Sequence, residues 1–502
     1  MKKRSQHRGH GPRRPLNLRN PSRREFLLGM AAATGSLTLA ACGAGGGGDD
    51  LFGSNPGTGL SQLPPPEESG IDHIVQIMME NRSFDHFLGW VPGADGRQAG
   101  QRFPNINGDM VETFRLSQDP AYGYQGCGWA DPNHGYDGGR VHLNDGRMDG
   151  WLLTGNTSEN PEDKFPVGYY TAEDLLFYAG VAQNFTICDR YFHGILASTF
   201  PNRIYIHAGA TDRLDNSLPD PNSSPPAPSS LPTIWDRLAE KGLTGRNYFH
   251  DLPLTAIWGE KYASITAPFE QFLADAESGN LPAVSYFDPN FGFSVGESPA
   301  GISRDDHPQA DVRDGQVYLT EIYNALRNSP NWERTLMIVT YDEWGGFYDH
   351  VVPPFAPVSE AESALGNDGR LGFRTPCVIV GPRARRGHVS HLQFDPSSVI
   401  NLIRWRWGLD PVGASSRNQT SLNMAHALDF SNPPNLDAPD FGDLGPLGTG
   451  SSRALSYGAP CTQAAGLPGA PSAFSSAASG SREQHMQELA PLYEMAKRAG
   501  MI

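Results

Sequence analysis

Ile71-Asp72-His73-Ile74-Val75-Gln76-Ile77-Met78-Met79 runs straight into Glu80-Asn81-Arg82-Ser83-Phe84-Asp85-His86. Far down the chain, Thr335-Leu336-Met337-Ile338-Val339-Thr340-Tyr341 runs into Asp342-Glu343-Trp344-Gly345-Gly346-Phe347-Tyr348-Asp349-His350. Each apolar run is rich in β-branched residues and reads as a buried strand of a parallel sheet. Each stops abruptly at two residues bearing side-chain oxygens. Open α/β sheets bind ligands outside the carboxyl ends of their strands. Two such strands in one sheet would bring Glu80, Asn81, Asp342 and Glu343 to a single edge. Three carboxylates and an amide gathered there require a cation. The expected fold class is α/β.

The surrounding chain suits that reading. It has 502 residues, 38% of them hydrophobic, which is ample for one large domain. Strand-like runs recur at 203–208, 245–250, 283–287 and 375–381, with helical patterns between them. Thr171-Ala172-Glu173-Asp174 resembles a capping box ahead of an apolar stretch at 175–182. A helix is predicted over 311–328, stopping at Ser329-Pro330, and another over about 397–407. Strands interleaved with helices imply a parallel sheet. Segments 214–232 and 352–370 read as loops, 448–481 as a Gly/Ser/Ala-rich linker, and the end of the chain as a helix with Met486, Leu489, Leu492 and Met495 on one face. The expected organisation is a signal at 1–41, a tether at 42–69, a catalytic domain at 70–440, a linker at 441–484 and a terminal helix at 485–502.

The first 41 residues read as an export signal and stand outside the fold. Basic residues lead to Ser22-Arg23-Arg24-Glu25-Phe26-Leu27-Leu28, a twin-arginine pattern, and then to a mild apolar run. Leu39-Ala40-Ala41-Cys42 resembles a lipoprotein cleavage box, which makes Cys42 the lipidated residue and predicts a periplasmic or cell-surface protein. The expected partners are therefore the twin-arginine export machinery and a membrane anchor at Cys42. Residues 1–41 carry nine Lys/Arg against Glu25 alone. Without them the net charge of −16 becomes −24. Such a surface repels nucleic acid and anionic headgroups. Cys127, Cys188, Cys377 and Cys461 show no metal-ligand spacing, and their pairing is not legible in the sequence.

Three further stretches carry chemistry. Ala197-Ser198-Thr199-Phe200-Pro201-Asn202-Arg203 offers a hydroxyl, weak as a nucleophile until a metal or base activates it, and an arginine suited to phosphate or to bracing a turn. His134 sits in Asp131-Pro132-Asn133-His134-Gly135, His307 follows Asp305-Asp306, and His350 closes the second opening segment. Histidine is the usual proton donor near neutral pH.

Together these motifs resemble the family of bacterial phospholipases C, acid phosphatases and plant non-specific phospholipases C, within the alkaline-phosphatase-like superfamily. Glu80 through His86 with Gly89 matches its opening signature, and Thr199 to Arg203 its T-x-P-N-R element. His307-Pro308, Asp311, Gly315, Trp332 and Tyr341 through Val351 match a long third block. The resemblance covers about 71–408. It implies a central, mostly parallel sheet with helices on both faces. It also implies one divalent metal held by Glu80, Asn81, Thr199, Asp342 and Glu343, with Thr199 as nucleophile. Asn202, His134, His307 and His350 would hold phosphate oxygens or protonate the leaving group. Ser198 stands where relatives have proline and is a minor rival nucleophile. Trp344 replaces a common histidine and is expected to reshape the pocket.

An all-oxygen site favours Mg²⁺, Ca²⁺ or Mn²⁺, although the superfamily also uses Zn²⁺. The expected activity is a metal-dependent phospholipase C cleaving the glycerol–phosphate ester of lipids such as phosphatidylcholine. An acid phosphatase is the alternative. A sulfatase is excluded because threonine cannot become the formylglycine that sulfatases require. A non-catalytic binding lipoprotein would have lost a ligand or the hydroxyl, and none is lost here.

Overall fold

The computed structural model describes residues 60 and 62–502, except 119–122, 127–128, 155–162, 218–227, 294–302, 414–416 and 442–473, and the backbone alone of 474–482. The signal, Cys42, most of the tether, Cys127, Cys461 and residues 442–473 of the expected linker therefore lie outside the described residues, and the terminal helix begins at Phe474, inside the stretch expected as linker. Among those described, no helix is long and apolar enough to cross a membrane.

The two opening runs become β1 (His73–Met79) and β6 (Thr335–Tyr341), paired in parallel from His73↔Thr335 to Met79↔Tyr341. Between them in sequence lie β2 (Thr186–Cys188), β3 (Gly245–Phe249), β4 (Thr266–Pro268) and β5 (Val284–Asp288). After them come β7 (Val378–Val380) and β8 (His388–Ser390). The eight strands form one sheet in the order β8-β2-β7-β6-β1-β5-β3-β4. All neighbours are parallel except β7, which runs antiparallel to both β6 and β2. β6 is buried along its whole length, and β1 is buried apart from His73, as expected for strands covered on both faces.

The helices used below are α1 (Phe84–Leu88), α2 (Tyr136–Leu143), α3 (Leu176–Asn184), α4 (Thr199–Ala208), α5 (Val312–Arg327), α6 (Pro396–Trp407) and α7 (Phe474–Arg498). They flank the sheet in packed groups, α4 against α6 and α3 against α5. Asp311 caps α5 by accepting from the Arg313 N–H at 3.0 Å, and Ser329-Pro330 follows its end. The apolar side of α7 docks through buried Leu489, Leu492, Met495 and Ala496, and Tyr493 meets Phe293 with ring centroids 5.1 Å apart.

Four expectations change. Residues 203–208 are helical, as part of α4, and not a strand. Every residue of α4 is buried, so its apolar run shows no helical periodicity. The 375–381 run is shorter than expected and antiparallel. Segment 352–370 contains a helix at Glu360–Leu365, held by a true capping box between Ser359 and Glu362. The Thr171–Asp174 pair is bonded as expected at 2.9 Å, but it closes a turn, and α3 begins only at Leu176.

Candidate active site

Because Met79 faces Tyr341, Glu80 and Asp342 leave the sheet side by side. Asp342 Oδ1 accepts the backbone N–H of Asn81 at 3.0 Å and of Glu343 at 2.8 Å, locking the two strand ends together. Asn81 holds a left-handed φ of 49°, a conformation asparagine tolerates better than most residues. Glu343 Oε2 accepts from the Gly345 N–H at 2.7 Å. Gly345 (φ 63°) and Gly346 (φ 73°) let the chain turn away. A Cβ on Gly345 would overlap the Asn81 carbonyl, and one on Gly346 would press on Pro132.

α4 delivers the hydroxyl. Thr199 is its first residue, and Thr199 Oγ1 donates to Glu80 Oε1 at 3.1 Å. Arg203, one turn on, donates from Nε to Asp342 Oδ2 at 3.1 Å and from its two terminal nitrogens to the Met78 and Met79 carbonyls at 3.3 Å. It therefore ties the helix that carries Thr199 to the carboxylate edge. Asn202 is likewise spent on structure: its amide donates to the carbonyls of Ile195, Ala197 and Ser198, and its Oδ1 accepts from the Ile195 N–H. Its expected phosphate contact gives way to bracing of the turn that presents Thr199.

Glu80, Asp342 and Glu343 are buried with one guanidinium, Arg203, among them. Burial pushes Glu80 and Glu343 well above the usual carboxylate range, and neighbouring carboxylates add to the effect. Burial also raises Asp342, against the pull of Arg203. Glu80 Oε2, Glu343 Oε1 and both amide atoms of Asn81 are buried and make no hydrogen bond. Buried polar atoms without hydrogen bonds are costly. A divalent cation supplies the missing charge, so this donor set fits a metal. The set is not purely oxygen at its rim: ligating atoms of Glu80, His307 and His485 lie within 4.8 Å of one another, as do those of Asp131, His134 and His307.

A cavity of about 330 Å³ is lined by Asp131, His134, Asn216, His307, His485 and Glu488 among others, and by Ser198, the residue before Thr199. Asp131 stands 3.6 Å from His134 Nδ1 and 3.5 Å from His307 Nε2. The two imidazoles lie 6.1 Å apart and titrate in opposite directions. Burial alone would lower His134, but the Glu343, Asp131 and Glu488 carboxylates outweigh it and raise it to about 9. Burial, with the His485 and His134 charges, holds His307 well below its ordinary value. His134 is therefore the charged ring and His307 the neutral one.

Two expectations fail here. His350 is not brought to this cavity: Nδ1 lies 2.5 Å from Asp85 Oδ2, and Nε2 lies 3.1 Å from Asp95 Oδ1, in a knot with Asp349 and Arg374. Both ring nitrogens are committed, which leaves neither for a phosphate. Trp344 does not shape the pocket. It is fully buried in a separate apolar cluster with Leu196, Trp151 and Phe373, stacks on His193, and donates from Nε1 to His142 at 3.1 Å.

Several site residues were missed from sequence. Asp131 was legible as the acidic neighbour of His134. Asn216, His485 and Glu488 carried no local signal, because a loop and a distant helix bring them in.

Buried carboxylates, a hydroxyl and a histidine-lined cavity meet at one sheet edge, and the family model named Phosphoesterase family matches residues 71–410. The chain belongs to the phosphoesterase family. It is a phosphoric ester hydrolase. The phosphoesterase is 29% identical to "Non-specific phospholipase C1" of Arabidopsis thaliana over 76% of this chain and 75% of that protein. It is 30% identical to "Phospholipase C B" of Mycobacterium tuberculosis over 84% of this chain and 88% of that one. Among solved structures it overlaps a protein in the alkaline phosphatase superfamily from Vibrio parahaemolyticus, at 12% identity and a TM-score of 0.30, covering 49% of this chain and 63% of that chain.

Proposed function

We propose that the protein is a metal-dependent phospholipase C that cleaves the glycerol–phosphate ester of phospholipids through Thr199. The observation that carries this reading is the Thr199 hydroxyl, aimed at Glu80 Oε1 at 3.1 Å at the start of a helix, one residue after Ser198 in the wall of a histidine-lined cavity. Glu80, Asn81, Asp342 and Glu343, with Thr199 itself, would hold the cation. When bound, the cation lowers the effective pKa of a hydroxyl and neutralises charge on a phosphoryl group.

The chain's own residues supply the rest. The positive end of α4 faces the reacting oxygen and favours its anionic form. Thr199 Oγ attacks phosphorus in line, its proton passing to Glu80 as the acceptor in reach. The P–O bond to glycerol breaks, and His134 gives its proton to the departing alkoxide, so that diacylglycerol leaves as a neutral alcohol. His307, 3.5 Å from Asp131, would orient the phosphate. Water then attacks the Thr199-linked phosphodiester, restores the hydroxyl and releases the phosphorylated headgroup. The similarity to the plant and mycobacterial phospholipases C supports a lipid diester as substrate. We also propose export by the twin-arginine route and anchoring at Cys42, as the signal and cleavage box suggest.

The test is hydrolysis of p-nitrophenylphosphorylcholine, p-nitrophenyl phosphate and phosphatidylcholine by the purified protein, with and without chelator, beside Thr199→Ala. We expect chelator to abolish diester turnover and Thr199→Ala to lower kcat by at least about a thousandfold. Full activity in Thr199→Ala removes the nucleophile assignment. Turnover of the monoester alone makes the enzyme a phosphatase.

A further inference from the structure

We infer that helix α7, which lies beyond the 71–410 span shared with the family, is a wall of the active site, and that His485 on it is a positioning residue for His307. The inference rests on the phosphoesterase reading above and extends it to a segment that reading does not use.

Three contacts carry it. The imidazole of His485 stacks on that of His307 with centroids 3.8 Å apart and planes 23° from parallel. His485 is only 9% exposed, so the stack is an interior contact. One turn along, Glu488 Oε2 accepts from Asn216 Nδ2 at 2.8 Å, while Asn216 Oδ1 accepts from the Phe200 N–H at 2.8 Å. Two hydrogen bonds thus connect α7 to the residue that follows Thr199. The register of α7 is fixed independently by Leu489 and Leu492, which are buried and share its docked side.

The other contacts of the His307 ring are to its two nitrogens and to His134. His307 Nδ1 lies 3.2 Å from the Pro308 carbonyl, Asp131 stands 3.5 Å from Nε2, and His134 meets the ring edge-on at 6.1 Å. The broad face of the ring is covered by His485. His307 already lines the cavity, and without that cover its imidazole would lose its stacking partner and turn about its side-chain bonds. A misplacement of about 1 Å in a reacting group costs on the order of a hundredfold in rate. His485 need touch neither substrate nor metal to matter. It acts through the orientation of His307.

The experiment compares His485→Ala, His485→Phe and Glu488→Ala in the full-length, metal-loaded enzyme. Steady-state kinetics would use p-nitrophenylphosphorylcholine, with melting temperature and bound metal measured in parallel. We expect His485→Ala to lower kcat about ten- to a hundredfold with KM changed less than about threefold. His485→Phe, which keeps a flat ring against His307, should recover most of kcat at unchanged metal content, and Glu488→Ala should fall in the same direction as His485→Ala. Wild-type kcat in a folded His485→Ala overturns the inference. So does a His485→Phe enzyme as slow as His485→Ala, and if it has also lost its metal, His485 is a ligand instead. If the wild type hydrolyses no phosphate ester, the phosphoesterase mechanism falls first. Active wild type with an indifferent His485 removes only the role of α7.

Discussion

His134 and His307 show how one cavity sets two like residues to different tasks. Carboxylates on three sides keep His134 charged, while burial keeps His307 neutral. Opposite shifts of two like rings follow from placement alone. His350 shows the reverse, a histidine whose charge serves structure. Burial opposes its protonation, but the hydrogen bond and charge of Asp85 prevail and raise it above 6.5. A group raised on folding stabilises fully below its unfolded value and loses that contribution as pH climbs through its folded value. The melting-temperature gap between wild type and His350→Gln should therefore be widest near pH ~5 and shrink by pH ~9. A gap that grows with pH would show that the Asp85 pairing does not carry the charge. At this scale the sequence was informative about proximity, for Glu80 and Thr199, far apart in the chain, meet at 3.1 Å. It misled at Asn202, His350 and Trp344, because a side chain's partners are fixed by long-range packing that no short motif encodes.

The turn after β6 and the start of α4 are the elements that make the site. Gly345 is obligatory at its position, since its left-handed φ disfavours any Cβ and the Asn81 carbonyl occupies the space one would need. Gly345→Ala should cost on the order of 1–3 kcal/mol from the dihedral alone, with steric overlap added. It should also displace Asn81 and Glu343, so that both melting temperature and metal content fall together. An alanine enzyme with wild-type metal content would show that the turn does not position those ligands. α4 was misread as a strand because its residues are all buried, yet its punctuation was there to read: Ser198 before it, Pro201 in its first turn and Gly209 closing it with φ 67°. Ser359 and Glu362 likewise spelled a capping box inside a stretch taken for loop. β7 was placed correctly as a strand, but its antiparallel direction depends on how the chain returns to the sheet, which local composition leaves undetermined.

At the scale of the molecule, the opening and third motifs were legible as one sheet edge, and the register Met79↔Tyr341 bears that out. The reach of α7 into the cavity was not legible, because amphipathic spacing gives a helix a buried side without saying what it will be buried against. The export reading has its own measurement. In a bacterial host with twin-arginine transport, Cys42→Ala should shift the mature chain from the membrane to the soluble fraction, and Arg23→Lys with Arg24→Lys should arrest it as precursor. Unchanged fractionation of Cys42→Ala would dismiss the lipid anchor.

β1 has one more consequence. It is the first strand of the sheet to be synthesised, yet its partners are β5 and β6, which begin at Val284 and Thr335. At about 5–20 residues per second, the ribosome needs roughly 10–40 s to deliver even the nearer partner. Through that interval a seven-residue apolar strand has two open edges and no native neighbour. Unpaired edges of this kind invite association with other chains. The central place of β1, which sets Glu80 beside Asp342 in the finished enzyme, leaves the nascent chain with an open apolar strand until the middle of the protein has been made.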